Sequence, residues 1–170
     1  MNFIDLAKSR YSCRKFSTRL VENEKIDKII EAGLLAPTGI NAQPFKIWKI
    51  ESEEYINKVA QATPFTFGAR TILAVGADKT QAYNRKFDDK NFAEIDAVIV
   101  ATHMMLEVQE LGLGTTWVGH FDPKILKAQI PQMKDYEIVG LFPIGYPAED
   151  VKPSEKHFQR KAKEEVVTIL

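Results

Sequence analysis

The chain has 170 residues with 23 basic and 23 acidic side chains and a formal net charge of zero. That length suits one domain with a buried core, and the balance gives no electrostatic case for nucleic acid or a polybasic membrane anchor, so any anion site must be local. The single cysteine, Cys13, excludes an internal disulfide and a cysteine-rich zinc site and predicts a reducing, cytoplasmic location.

From the N-terminus, NFIDLAKSR predicts a short helix capped by Asn2, with Phe3, Leu6 and Ala7 on one face. Asp5 and Lys8 interrupt its apolar character, and no later run approaches the roughly 18 apolar residues of a membrane span. The basic cluster SRYSCRKF follows, with Arg10, Ser12 and Arg14 at alternate positions. A second helix is expected over about 22–35, where Ile26, Ile29, Ile30, Gly33 and Leu34 keep helical spacing until Pro37 and Gly39. FKIWKI (45–50) reads as a strand, Ser52 followed by Glu53 and Glu54 as the start of a third helix, and TILAVGA (71–77) as a buried strand. Residues 78–89 are polar and aperiodic, which suits an exposed loop or lid.

The segment 93–111 is apolar nearly all round and stops at Gly112, so it should be the most buried helix. TTWVG reads as a short strand, Asp122 with Pro123 as the cap and first turn of a helix, and EIVGLFPIGYP as the last core strand. A polar arm from 148 onward ends in the β-branched VVTIL, which predicts a terminal strand in need of a sheet edge.

Several motifs suggest chemistry that their context does not support. GLGTTWVG closes a helix and leads into a strand, the reverse of a dinucleotide fingerprint, which must follow a strand and open a helix. His103 stands in the apolar helix, where a core or edge histidine is the simpler reading than a metal ligand, His120 and His157 are isolated, and no serine nucleophile elbow occurs. APTGINAQPFKI is more informative: it places a threonine, an asparagine and a glutamine on one loop, able to hydrogen-bond the polar edge of a flat heterocycle. The same residues also serve as ordinary turn formers.

Taken together and in order, RYSCR, PTGINAQPF, GLGTTWVG, FPIGYP and RKAKEEVV resemble the recurring segments of the nitroreductase family of flavin enzymes over essentially the whole chain. The resemblance implies an α+β fold with a central mixed, mainly antiparallel sheet flanked by helices. It implies a single domain over 1–170 whose arm, 148–170, reaches a partner subunit in a homodimer by C-terminal strand exchange, with helix 93–111 at the interface. FMN would be the cofactor and NAD(P)H the reductant, the partner being a small electron acceptor. By resemblance, Arg10, Tyr11 and Ser12 belong to the phosphate side of the FMN site, completed by Arg160 and Lys161, and Arg14 lies near the flavin N1 and C2 carbonyl. There a fixed cation favours the reduced, anionic cofactor. Pro37, Thr38, Asn41 and Gln43 resemble the loop that contacts the ring, partly across the dimer interface. The backbone of Trp117, Val118 and Gly119 matches the segment along the flavin, from which an amide would donate to N5.

Thr38, Phe45 and Ala162 stand where the family commonly has serine, tryptophan and proline, and a large lid insertion is missing. The implied reaction passes hydride from NAD(P)H through N5 to a nitroaromatic or quinone-like acceptor, with no side chain needed as acid or base. A dehalogenase or enone reductase on the same scaffold, and a flavin-binding sensor or storage module, remain compatible with these residues.

Overall fold

The computed structural model describes residues 2–170. In chain order its elements are α1 (Phe3–Ser9), α2 (Asn23–Leu34), β1 (Phe45–Ile50), α3 (Glu53–Ala62), β2 (Thr71–Ala77), β3 (Asn84–Arg85), β4 (Lys90–Asn91), α4 (Ala93–Glu110), β5 (Gly114–Thr115), α5 (Pro123–Gln129), β6 (Glu137–Gly145) and α6 (Lys163–Val166). The main sheet has the order β1-β2-β6-β5, and every strand pair in it is antiparallel. A single parallel bridge, Ser12 to Thr115, makes it mixed.

Helices cover both faces because the strands alternate. Leu73, Val75, Phe142 and Ile144 pack on one side with α2 and α4. Ile72, Ala74 and Leu141 pack on the other, with Val59 of α3 and Leu126 of α5. All seven residues of β2 are buried, as a strand covered on both faces requires. Asn2 caps α1 and Ser52 caps α3, while Asp122 accepts from the amides of Lys124 and Ile125. Helix α4 ends in a Schellman motif: Gly112 has φ +70°, its amide donates to Gln109 O, and the Leu113 amide donates to Val108 O.

One expectation changes. The segment read as an aperiodic loop over 78–89 is not wholly irregular, since β3 and β4 pair as a short hairpin. In α1, Phe3 and Ile4 are exposed, while Leu6 and Ala7 are partly buried. The C-terminal VVTIL is not a strand in the chain by itself: Val166 ends the helical turn of α6, and 167–170 pair with nothing among the described residues. β-Branched propensity cannot make a strand without an edge, and the Glu165 carboxylate accepts from the Ala162 amide, which favours a helical turn.

Candidate functional site

Segment 10–14 runs beside β5. The Cys13 amide donates to Thr115 O at 2.8 Å, and the Cys13 side chain is fully buried against Gly114. A Cβ at Gly114 would lie 2.7 Å from Cys13 Cβ, so only glycine admits this approach. Burial pushes the Cys13 thiol up, and it donates to Lys15 O; this is an anchor rather than a nucleophile. With Cys13 fixed inward, the alternate positions 10, 12 and 14 are those left to face outward, which accounts for the R-x-S-x-R spacing. Beside Ser12 lies Thr115, whose buried Oγ1 has no hydrogen-bond partner among the described residues.

The C-terminal arm brings a second cation to this place. A 3₁₀ turn over Glu155–Phe158 presents His157 to the end of α1, its Nε2 3.0 Å from Lys8 O. Arg160 follows and sits close enough to Arg10 that burial first, and Arg160 second, hold the Arg10 guanidinium below the ordinary arginine range. Among the described residues neither arginine forms an ion pair with a carboxylate. Arg160 Nη1 donates to the carbonyls of His157 and Gln159, and two neighbouring guanidinium groups unpaired with an acid are suited to bind a dianion. Lys161 is exposed on the same arm.

Next to this lies a cavity of about 230 Å³ formed by Arg14, Phe65, Phe67 and residues 116–120. The Trp117 indole is turned away, onto the sheet: its Nε1 donates to Val139 O at 3.0 Å and its ring meets Phe142 edge-on at 5.0 Å. Gly140 allows this, since a Cβ there would stand 2.7 Å from Nε1. Val118 exchanges both backbone hydrogen bonds with Leu141, whereas the amides of Trp117 and Gly119 donate to nothing among the described residues. The backbone of 117–119 therefore offers two free donors at the cavity. Arg14 is exposed, its guanidinium 3.4 Å from Ser12 O.

The opposite wall is aromatic and carried no motif in the sequence. Phe65 and Phe67 stack at 5.8 Å, and His120 meets Phe65 edge-on at 5.5 Å. Thr63 joins the two segments, donating to His120 O and accepting from the Phe65 amide. The alternation in PFTF was the available signal, and His120 matters only because the fold sets it against these rings.

Loop 37–43 lies elsewhere. Gly39 is bonded to Asp96 in the first turn of α4, whereas Cys13 packs on Gly114, just past the other end of that helix. Eighteen residues of α-helix span about 27 Å. One chain thus brings Arg160 to Arg10, and Arg14 to Trp117, Val118 and Gly119, but holds Pro37, Thr38, Asn41 and Gln43 apart. The loop is strained: Ile40, Asn41 and Gln43 have φ of 49°, 56° and 50°. Asparagine tolerates this region, but β-branched Ile40 does not, and such residues cost on the order of 1–3 kcal/mol each. The Thr38 hydroxyl oxygen accepts from the Gln43 amide at 3.0 Å, and the side chains of Asn41 and Gln43 are exposed.

The model of the Nitroreductase family matches residues 7–63 and 57–146. The chain belongs to the nitroreductase family. A nitroreductase family protein from Clostridium difficile 630 of known crystal structure is 37% identical, with a TM-score of 0.92 over 99% of this chain and 98% of that one. An FMN-dependent nitroreductase from Clostridium difficile R20291 is 25% identical, with a TM-score of 0.79 over 98% of each chain. A Methanothermobacter thermautotrophicus protein with the provisional name NADH dehydrogenase/NAD(P)H nitroreductase is 27% identical over 154 residues, 88% of this chain and 80% of its own length. The α+β architecture, an antiparallel sheet flanked by helices, is that of the family's solved structures.

Proposed function

We propose that this nitroreductase-family chain is an FMN-dependent oxidoreductase that works as a homodimer and passes electrons from NAD(P)H to a flat, electron-poor acceptor such as a nitroaromatic or quinone. The observation that carries it is the approach of Arg160 to Arg10, neither of which forms an ion pair with a carboxylate among the described residues, a donor set suited to one terminal phosphate. The relatives named for FMN and NAD(P)H support the same reading. Bound FMN would supply the hydride chemistry; the protein supplies placement and charge.

On this reading Arg10, Tyr11, Ser12, Arg160 and Lys161 hold the phosphate side. Arg14 sets a cation against the ring edge where negative charge gathers on reduction, and a free amide of Trp117 or Gly119 donates to N5. Pro37, Thr38, Asn41 and Gln43 complete the site from the partner's loop, because within one chain they stand at the far end of α4. An open 230 Å³ cavity is too small for the whole ligand, which favours a site closed by a second copy. Exposed apolar side chains on α4 (Ile95, Val98), at the end of α2 (Leu34, Leu35) and on the arm (Val166, Ile169) supply the interface. The arm, 148–170, would extend this single domain onto its partner, where Val167 and its neighbours find the sheet edge they lack alone. The stacked Phe65 and Phe67 favour an aromatic acceptor. A lone buried thiol needs no oxidant, in keeping with a cytoplasmic enzyme.

Denaturing release should yield FMN and not FAD, and anaerobic NADH or NADPH should bleach the yellow protein rapidly. Colour that persists for minutes supports a flavin-holding module instead, and absence of flavin after reconstitution overturns the cofactor assignment.

A further inference from the structure

Asp96 is almost fully buried, with 2% of its surface exposed, in the first turn of the central helix. A buried carboxylate is costly unless it is used. Its Oδ1 accepts from the Gly39 amide at 3.0 Å, and its Oδ2 has no hydrogen-bond partner among the described residues. Gly39 is the last residue before the strained stretch, in which Ile40, Asn41 and Gln43 all lie in the left-handed region and Ile40 is 79% exposed. Outward-facing side chains do not hold that conformation in place. Three other features converge on the same point. The Asp96 amide donates to Phe92 O, the Phe92 amide donates to Tyr83 O, and Tyr83 packs so closely that a Cβ at Gly39 would stand 3.2 Å from its own Cβ. Within the loop the Gln43 amide donates to Thr38 Oγ1, and the Asn41 and Ala42 amides donate to Thr38 O and Gly39 O, but Asp96 is the buried side chain outside it that receives one of its amides.

We propose that Asp96 is a positioning residue: through the Gly39 amide it holds the 38–43 loop in its strained left-handed conformation and so presents Asn41 and Gln43 to the flavin ring. The role follows from the placement of one acceptor. A strained backbone persists only where its surroundings over-determine it, and the Asp96 carboxylate is the fixed, buried point to which the loop is attached. The side chain stands in the first turn of α4, where the positive end of the helix dipole favours an acidic residue. The proposal rests on the FMN reading above and adds a residue that does not touch the cofactor.

Two substitutions separate acceptor from charge. Asp96→Asn keeps an oxygen for the Gly39 amide, whereas Asp96→Ala removes it. FMN titration of the full-length apoprotein should show binding weakened by about tenfold or more in D96A and by no more than roughly threefold in D96N. Equal loss in both variants means that the charge matters and not the acceptor, and overturns the positioning role. Wild-type affinity in D96A overturns it too. Failure of the wild type itself to bind FMN overturns the flavin reading first and this proposal with it. If D96A does not fold, native-state hydrogen exchange on the wild type decides. Gly39 and Gln43 amides should exchange more slowly on addition of FMN, since a loop that favours the flavin must in turn be favoured by it. Unchanged exchange at Gly39 in FMN-bound wild type overturns the proposal.

Discussion

Replacing Arg10 by alanine should move two measurements in opposite directions. In the apoprotein Arg10 and Arg160 repel, and the pairing lowers the Arg10 guanidinium below its usual range after burial has already done so. Removal of one charge relieves that repulsion, so the apoprotein should melt no lower than the wild type. With FMN present the same side chain makes a charge-assisted contact to phosphate, worth about 1.5–3 kcal/mol. At 1.4 kcal/mol per decade the dissociation constant should rise roughly ten- to hundredfold. Flavin fluorescence titration reads the affinity, and a melt of the flavin-free protein reads the stability. Salt supplies a control: screening should weaken wild-type binding more steeply than that of the variant. An R10A apoprotein that melts lower while retaining full FMN affinity would show Arg10 to be a structural contact and would refute the clamp.

Arg14→Gln should leave flavin content nearly unchanged but lower the two-electron potential by several tens of millivolts, about 30 mV per 1.4 kcal/mol, in a potentiometric titration; an unchanged potential removes Arg14 from the ring edge. Gly140→Ala should push the Trp117 indole off Val139 O and cost about 1–3 kcal/mol in urea unfolding, with loss of the indole's near-ultraviolet signal. Glu22 is held at a pKa of about 2 against an ordinary 4.5 by hydrogen bonds from Tyr146 and then Arg19. A depressed carboxylate contributes stability present above about 4.5 and lost as the pH falls toward 2. Acid titration of Glu22→Gln should therefore show less loss across that window than the wild type. Deletion of residues 166–170 should weaken the proposed dimer and with it flavin retention; a truncated chain that elutes as a yellow dimer in sizing chromatography rules out the exchange.

Local chemistry alone accounts for most element boundaries. Asn2, Ser52 and Asp122 act as caps wherever the chain leads, Gly112 suits the left-handed stop of α4, and the short, β-branched run TILAVGA favours a strand covered on both faces. The R-x-S-x-R spacing was legible for the same reason, since Arg10, Ser12 and Arg14 are near neighbours in one extended segment. What required tertiary structure were the relations between distant segments. Arg160 meets Arg10 because His157 docks on α1, 149 residues away from Lys8. Phe65, Phe67 and His120 form one wall because Thr63 bonds across 57 residues. Asp96 gave no signal in a helix read as apolar, because a carboxylate is tolerated inside a core only where another segment brings it a donor, and that donor is a backbone amide. The terminal VVTIL forms no strand within one chain for the converse reason. Strand propensity is satisfied by hydrogen bonds from a neighbouring edge, and which edge is offered is a property of the folded assembly rather than of five residues.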